Sequence, residues 1–341
     1  MRGLVIKSTG SSYIVRLDDG TSVECHIKGN FRIRGIRSTN PVAVGDYVEV
    51  KSQTDGESVH WIVDIVPRRN YIIRRSTNLS KESHILAANI DQVALIITIN
   101  HPVTSTTFID RFLATCEAYR VRAILIFNKI DLLTEEELAQ LDDLRALYES
   151  IGYQTLTISA LDLNSEAINR EAINREAINR EAINARSAIH SLLAGKVTLL
   201  SGNSGVGKST LLNALFGREL TRTGKISDAH DKGMHTTTFS EMYFLDEISN
   251  DKYQISNINA GALIDTPGIK GFGTIDFERE EVSHFFPEIF QKASECRFGN
   301  CTHTNEPGCA VIEAVEHGEI AISRYESYLS ILGDCSESKY R

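Results

Sequence analysis

The sequence predicts a multidomain α/β protein. An N-terminal β-barrel is followed by a doubly wound parallel sheet and then by a helical region held by a metal. Three observations carry this reading. Short strand signals crowd residues 1–67. Continuous apolar runs alternate with helix-period segments over residues 89–280. Cys296, Cys301, His303 and Cys309 then fall within fourteen residues. At ~150 residues per domain, a chain of 341 residues has room for two or three domains.

The barrel comes first. Candidate strands are Gly3–Lys7, Tyr13–Leu17, Ser22–Lys28, Tyr47–Lys51 and Ser58–Ile65. Turn signals separate them at Asp19-Gly20, Lys28-Gly29-Asn30 and Val44-Gly45-Asp46. So many short strands in so short a stretch suit a small closed barrel of the OB type, with an SH3-like barrel as the alternative. Residues 1–70 form this domain, and 71–88 read as a polar linker.

From residue 89 the period changes. Val93–Ile99 and Ala123–Phe127 are unbroken apolar runs, as expected of strands covered on both faces. Helices are predicted at Phe108–Tyr119, Glu135–Ile151 and Lys208–Phe216. Further strands are predicted at Gln154–Ser159, Lys196–Leu200, Thr238–Leu245 and Ala262–Asp265. This βα alternation predicts a parallel sheet with helices on both sides. Residues 281–341 turn helical around the cysteines.

Composition bounds the function. The chain is 42% hydrophobic and 24% charged, which excludes disordered, collagenous and disulfide-stapled classes. No stretch approaches the ~18 apolar residues of a membrane span, and the N-terminus lacks the apolar core of a signal peptide. The expectation is a cytoplasmic protein without a membrane partner. The formal charge is −9, yet residues 1–80 hold twelve Lys/Arg against eight Asp/Glu. That segment is +4 and the remainder −13, so the acidic total does not exclude a nucleic-acid partner for the barrel.

Gly202-Asn203-Ser204-Gly205-Val206-Gly207-Lys208-Ser209 fits G-x-x-x-x-G-K-[ST] in full, between a predicted strand and a predicted helix. Glycines let backbone N–H groups approach phosphates, and the helix N-terminus adds partial positive charge. Lys208 reaches the terminal phosphates, the Ser209 hydroxyl ligates Mg²⁺, and Thr210 follows in the same turn. Asp265-Thr266-Pro267-Gly268 ends an apolar strand. There Asp265 holds Mg²⁺ through water and the Gly268 amide reads the γ-phosphate. In His235-Thr236-Thr237-Thr238, Thr237 completes the Mg²⁺ shell.

Asn128-Lys129-Ile130-Asp131 also follows a strand. A carboxylate such as Asp131 pairs with the guanine N1 and N2 donors, which adenine lacks, and the Lys129 stem lies against the base. Ser159 and Ala160 end the next strand, where a backbone N–H can meet guanine O6. Familiar GTPases place these last two motifs after the phosphate loop; here they come first. The site is still buildable, because each motif sits at the carboxyl end of a parallel strand. The central domain is therefore a circularly permuted P-loop GTPase domain. Ile269 stands where Ras-like enzymes carry a water-orienting glutamine. His235 is the nearest polar substitute by sequence.

Residues 166–184 repeat Glu-Ala-Ile-Asn-Arg. Five residues advance a helix by about 500°, so Ile168, Ile173, Ile178 and Ile183 spiral around it and form no buried stripe. Residues 165–185 read as an exposed helix lengthened by tandem expansion, and deleting Glu166–Arg180 is expected to leave nucleotide turnover intact.

The cysteine cluster supplies three thiolates and one imidazole, a closed structural zinc set with no open position for catalysis. Cys25, Cys116 and Cys335 read as ordinary thiols. In the barrel, Arg32, Arg34 and Arg37 alternate with apolar residues, and Arg68, Arg69, Arg74 and Arg75 follow at its end. Cationic groups on such a barrel suit RNA phosphates.

NKID, SAL, GNSGVGKST, HTTT, DTPG and CRFGNCTHTNEPGCAV, in this order, resemble the RsgA/YjeQ family of circularly permuted GTPases. The resemblance covers nearly the whole chain. It implies an OB-fold domain at 1–70, a GTPase domain at 89–280 and a zinc domain at 281–341. It also implies late maturation of the small ribosomal subunit, with GTP hydrolysis stimulated by that subunit, and it points to His235 for catalysis beside Lys208 and Thr237. GTP, GDP and small-subunit rRNA are the expected partners, Zn²⁺ and Mg²⁺ the cofactors, and a monomer the expected state. The rival reading is an RNA-binding factor that senses nucleotide with little hydrolysis.

Overall fold

The computed structural model describes residues 1–9, 12–27, 41–53, 59–75, 83–164, 185–220, 240–245, 261–266 and 277–337. His235, Thr237, Gly268, Ile269, Arg32, Arg34, Arg37 and the repeat at 166–184 lie outside these residues.

The first five strands are β1 (Arg2–Ser8), β2 (Tyr13–Leu17), β3 (Ser22–Ile27), β4 (Tyr47–Gln53) and β5 (Val59–Ile65). Period-2 alternation turns Val5, Val15, Cys25, Val48 and Ile62 inward to one core. β1 pairs antiparallel with β2 and with β4, β2 with β3, and β4 with β5. β3 and β5 run parallel. The ring therefore closes in the order 1-2-3-5-4.

Within residues 71–88, expected as a polar linker, β6 (Tyr71–Arg75) and β7 (Ser83–Ala88) pair antiparallel. The paired arginines disguised the alternation. Ile72 and Ala87 are fully buried against the central sheet's core, and Val44 bridges to Ala87.

The central sheet comprises β8 (Gln92–Ile97), β9 (Arg122–Phe127), β10 (Gln154–Thr157), β11 (Val197–Ser201), β12 (Ser240–Phe244) and β13 (Ala262–Asp265). Its helices are α1 (Thr106–Ala118), α2 (Glu135–Ile151), α3 (described over 185–193) and α4 (Lys208–Phe216). The spatial order is β10-β9-β8-β11-β13-β12. All neighbours are parallel except β12, which runs antiparallel to β13. Every residue of β8 is buried, because both faces are covered. Val93, Leu95 and Ile97 meet Phe112 and Leu113 of α1 and Tyr148 of α2. Ala94 and Ile96 meet Leu193 of α3 and Leu211 of α4. β12 also pairs with β1, so barrel and central sheet are one continuous eleven-stranded sheet.

The C-terminal residues form a 3₁₀ segment (Arg279–Phe285), α5 (Pro287–Ala293), α6 (Ala310–Glu316) and α7 (Ile322–Glu337). Phe286, Val311, Tyr328 and Leu332 pack with Ala114 of α1. Among the described residues no helix is long and apolar enough to cross a membrane.

Candidate functional site

The carboxyl ends of the parallel strands gather the predicted motifs on one edge. Asn128 follows β9, Ser159 and Ala160 follow β10, Gly202–Gly207 follow β11, and Asp265 ends β13. One side chain binds three of them together. Asn128 Nδ2 donates to the Val206 carbonyl at 2.8 Å, and its Oδ1 accepts from the Ala160 N–H at 2.9 Å. Gly207 has φ +98°, and a Cβ there would stand 2.4 Å from Asn128 Nδ2. Only glycine permits that approach.

The Ala160 N–H is engaged by Asn128, so Ala160 locks the two motifs together.

Lys208 Nζ donates to the carbonyls of Gly202 (2.6 Å) and Asn203 (2.8 Å), curling the loop around its own ammonium. Burial lowers the Lys208 pKa, and nearby Asp265 opposes that. Ser209 and Thr210 open α4 and are half-buried, and Asp265 is buried. Asp131 is exposed, and Lys129 sits in a left-handed conformation with Nζ on the His101 carbonyl. The buried hydroxyls of Ser159, Ser201 and Thr266 have no hydrogen-bond partner among the described residues. An orphaned buried hydroxyl costs roughly 1–3 kcal/mol. These three lie at the carboxyl ends of β10, β11 and β13, on the edge where the motifs gather.

A second cluster stands apart from this edge. The ligating atoms of Cys296, Cys301, His303 and Cys309 lie within 4.8 Å of one another and can hold a metal ion. His303 Nδ1 is 3.5 Å from Cys296 Sγ and 3.4 Å from Cys309 Sγ, and those sulfurs are 3.9 Å apart. Burial lowers the His303 pKa, favouring the neutral imidazole that a metal needs. The surrounding loop is braced by groups that sequence spacing did not single out. Tyr325 and Tyr328 donate to the carbonyls of His303 and Thr302. Glu306 accepts from the Thr302 hydroxyl and from the N–H groups of Thr302 and Thr304. Burial would raise the Glu306 pKa, but these hydrogen bonds outweigh it and hold the group at about 2. Cys25 and Cys116 are buried thiols: burial pushes Cys25 up to about 11 and Cys116 well above its ordinary range.

Two of the arginines expected on RNA form ion pairs within the chain. Arg68 is almost fully buried and pairs with Asp46 through Nε (2.6 Å) and Nη2 (2.7 Å). Its guanidinium is taken up by Asp46 and the Pro41 carbonyl. Arg69 is more exposed, yet it spans Asp91 and the carbonyls of Asn89 and Ile90. The backbone of Arg74 and Arg75 lies in β6.

Comparison with known proteins agrees with this architecture. The profile described as "RsgA GTPase" matches residues 65–174 and 163–275, and that described as "RsgA N-terminal domain" matches residues 2–59. The chain belongs to the RsgA GTPase family. The two RsgA GTPase segments overlap over residues 163–174, at the start of the repeat. The small ribosomal subunit biogenesis GTPase RsgA of Phocaeicola vulgatus is 54% identical, over 100% of this chain and 99% of its own length. That of Porphyromonas gingivalis is 56% identical with the same coverage. The crystal structure of YjeQ from Thermotoga maritima aligns with TM-score 0.68 at 29% identity, covering 98% of each chain. YloQ, described as a circularly permuted GTPase, aligns with TM-score 0.66 at 26% identity, covering 100% of this chain and 96% of its own. The RsgA resemblance drawn from motif order thus holds over the whole chain.

Proposed function

We propose that the chain is a GTP phosphohydrolase that binds the small ribosomal subunit and assists its late maturation, with hydrolysis stimulated by that subunit. The observation that carries this reading is the Asn128 tie, which brings the guanine motif, the Ser159-Ala160 turn and the phosphate loop into one site despite their permuted order. Relatives of at least 54% identity named for small-subunit biogenesis supply the partner.

In this reading Asp131 selects guanine and Lys129 lies along the base. The amides of Gly202–Gly207 and the ammonium of Lys208 bind the phosphates. Ser209, Thr237 and, through water, Asp265 would hold Mg²⁺, which when bound would offset charge on the phosphates. His235 orients the attacking water, the role that Ile269 cannot fill.

The Cys296–Cys301–His303–Cys309 set takes zinc. Zn–S near 2.3 Å and Zn–N near 2.0 Å put tetrahedral edges at about 3.8 Å (S to S) and about 3.5 Å (S to N). The spacings of 3.9, 3.5 and 3.4 Å match them. Metal analysis should find one zinc per chain, lost in Cys309→Ser.

The closed 1-2-3-5-4 barrel with β3 and β5 parallel supports an OB-type reading, in which Arg32, Arg34 and Arg37 meet rRNA. Arg68 is withdrawn from that surface. A cytoplasmic monomer completes the proposal.

Phosphate release from GTP, measured alone and with purified small or large subunits, tests the reading. A rise with small subunits only is expected, and His235→Ala should keep GTP affinity but lose that rise. Release unmoved by small subunits would leave the nucleotide-sensing RNA-binding factor as the better account.

A further inference from the structure

The loop from Thr98 to Ser105, between β8 and α1, carries none of the recognised motifs. It nonetheless contacts one of them and neighbours another. A Cβ on Gly205 of the phosphate loop would lie 3.5 Å from Pro102 Cδ. The Lys129 ammonium donates to the His101 carbonyl at 2.5 Å.

We propose that Asn100 and Glu137 are positioning residues for guanine recognition, holding the loop whose His101 carbonyl fixes Lys129. This rests on the reading of Asn128–Asp131 as the guanine motif. The chain of contacts is continuous. Glu137 Oε1 accepts from Asn100 Nδ2 at 2.7 Å. Asn100 Oδ1 accepts from the His101 N–H at 2.9 Å. His101 then presents its carbonyl to Lys129. Each end of the chain is anchored. Glu137 is the third residue of α2 and accepts from the Thr134 N–H through Oε2 at 2.9 Å, in a complete capping box. The far side of the loop is braced by Thr98 Oγ1 on the Pro102 carbonyl and by Thr104 N–H on the Thr98 carbonyl.

The physical reason is preorganisation. A lysine side chain has many rotamers, and ordering it at the moment of binding lowers affinity. An ammonium already held at a carbonyl lays the aliphatic stem along a fixed line, ready for the base. Because α2 starts just after Asp131, the same helix cap sets both the carboxylate that selects guanine and the loop that steadies the lysine.

A double-mutant cycle on the full chain tests this, read by the affinity for a fluorescent GDP. Asn100→Asp sets a carboxylate against that of Glu137 while keeping an acceptor for the His101 N–H. GDP affinity should fall roughly tenfold, the scale of one hydrogen bond to a charged group. Competition by inorganic pyrophosphate, which reads the phosphate loop alone, should not change. Adding Glu137→Gln to Asn100→Asp restores a donor–acceptor pair and should recover affinity to within about twofold. In a Lys129→Ala background Asn100→Asp should cost nothing further. Equal losses with and without Lys129, an equal loss for pyrophosphate, or no loss at all would overturn the proposal. Should Asn100→Asp fail to fold, Asn100→Ala enters the same cycle. Wild-type binding of GDP over ADP is measured first. Its absence refutes the guanine-site reading, whereas a guanine-selective wild type with an inert Asn100 refutes only the positioning role.

Discussion

The barrel and the C-terminal helices are joined to the same central sheet by opposite means. The barrel is joined through backbone. β1 pairs with β12 at Lys7↔Glu241 and Ser8↔Ser240. The Val44 carbonyl accepts from the Ala88 N–H. The helices are joined through side chains: apolar contacts on Ala114, an Arg111–Asp334 pair and one buried arginine. Arg324 of α7 is fully buried and donates to Asp110 of α1 (2.8 Å) and Glu288 of α5 (2.6 Å). Tyr148 of α2 donates to the same Asp110 oxygen. Burial disfavours charge on Arg324, but the carboxylates of Asp110 and Glu288 outweigh it and keep the arginine protonated. A backbone ladder tolerates many side chains. A buried ion pair tolerates few, because each partner left alone is a desolvated charge.

That contrast can be broken in order of size. Arg324→Ala strands Asp110 and Glu288 and should cost about 3–5 kcal/mol in urea unfolding. The C-terminal helices should also become the first segment cut by protease. A loss below ~1 kcal/mol would show that the apolar contacts around Ala114 hold the joint instead. Gly45→Ala probes the backbone joint where it is tightest. Gly45 has φ +93°, and its Cβ would come 2.1 Å from the Ala88 carbonyl oxygen. The conformation alone should cost about 1–3 kcal/mol by thermal melting. A melt like wild type would mean that the barrel can shift on the sheet. Lys7→Ala removes a half-exposed ion pair with Glu241 (3.0 Å) that only decorates the ladder. It should cost under ~1 kcal/mol and matter less still at high salt. A larger effect would make that side-chain pair, and not the ladder, the true joint.

Much of the site was legible before the structure. The glycine-rich loop, N-K-x-D and the cysteine cluster are local patterns in which residue type and spacing express the chemistry directly. Strand positions were legible for the same reason. β2, α2, α4 and β13 match their expected limits residue for residue, since burial on one or two faces leaves a period in the chain. Where composition was read without period, as at residues 71–88, the strand pair was missed. Arginines were harder still. Arg68 and Arg69 look alike in a basic run, yet Asp46, twenty-two residues away, buries Arg68, while Arg69 pairs with Asp91 and stays exposed.

The sequence alone determined the kinds of element, the motif chemistry, and the permuted order that places the guanine motif before the phosphate loop. Only the tertiary structure decided how these meet. Asn128 spans 78 residues to Val206, and Arg324 spans 214 to Asp110. The Asn100–Glu137 brace crosses 37 residues between a loop and a helix cap. Local periodicity records which residues are buried, because burial depends on the element's own geometry. It does not record partners, because a hydrogen bond between distant segments leaves no spacing in the chain.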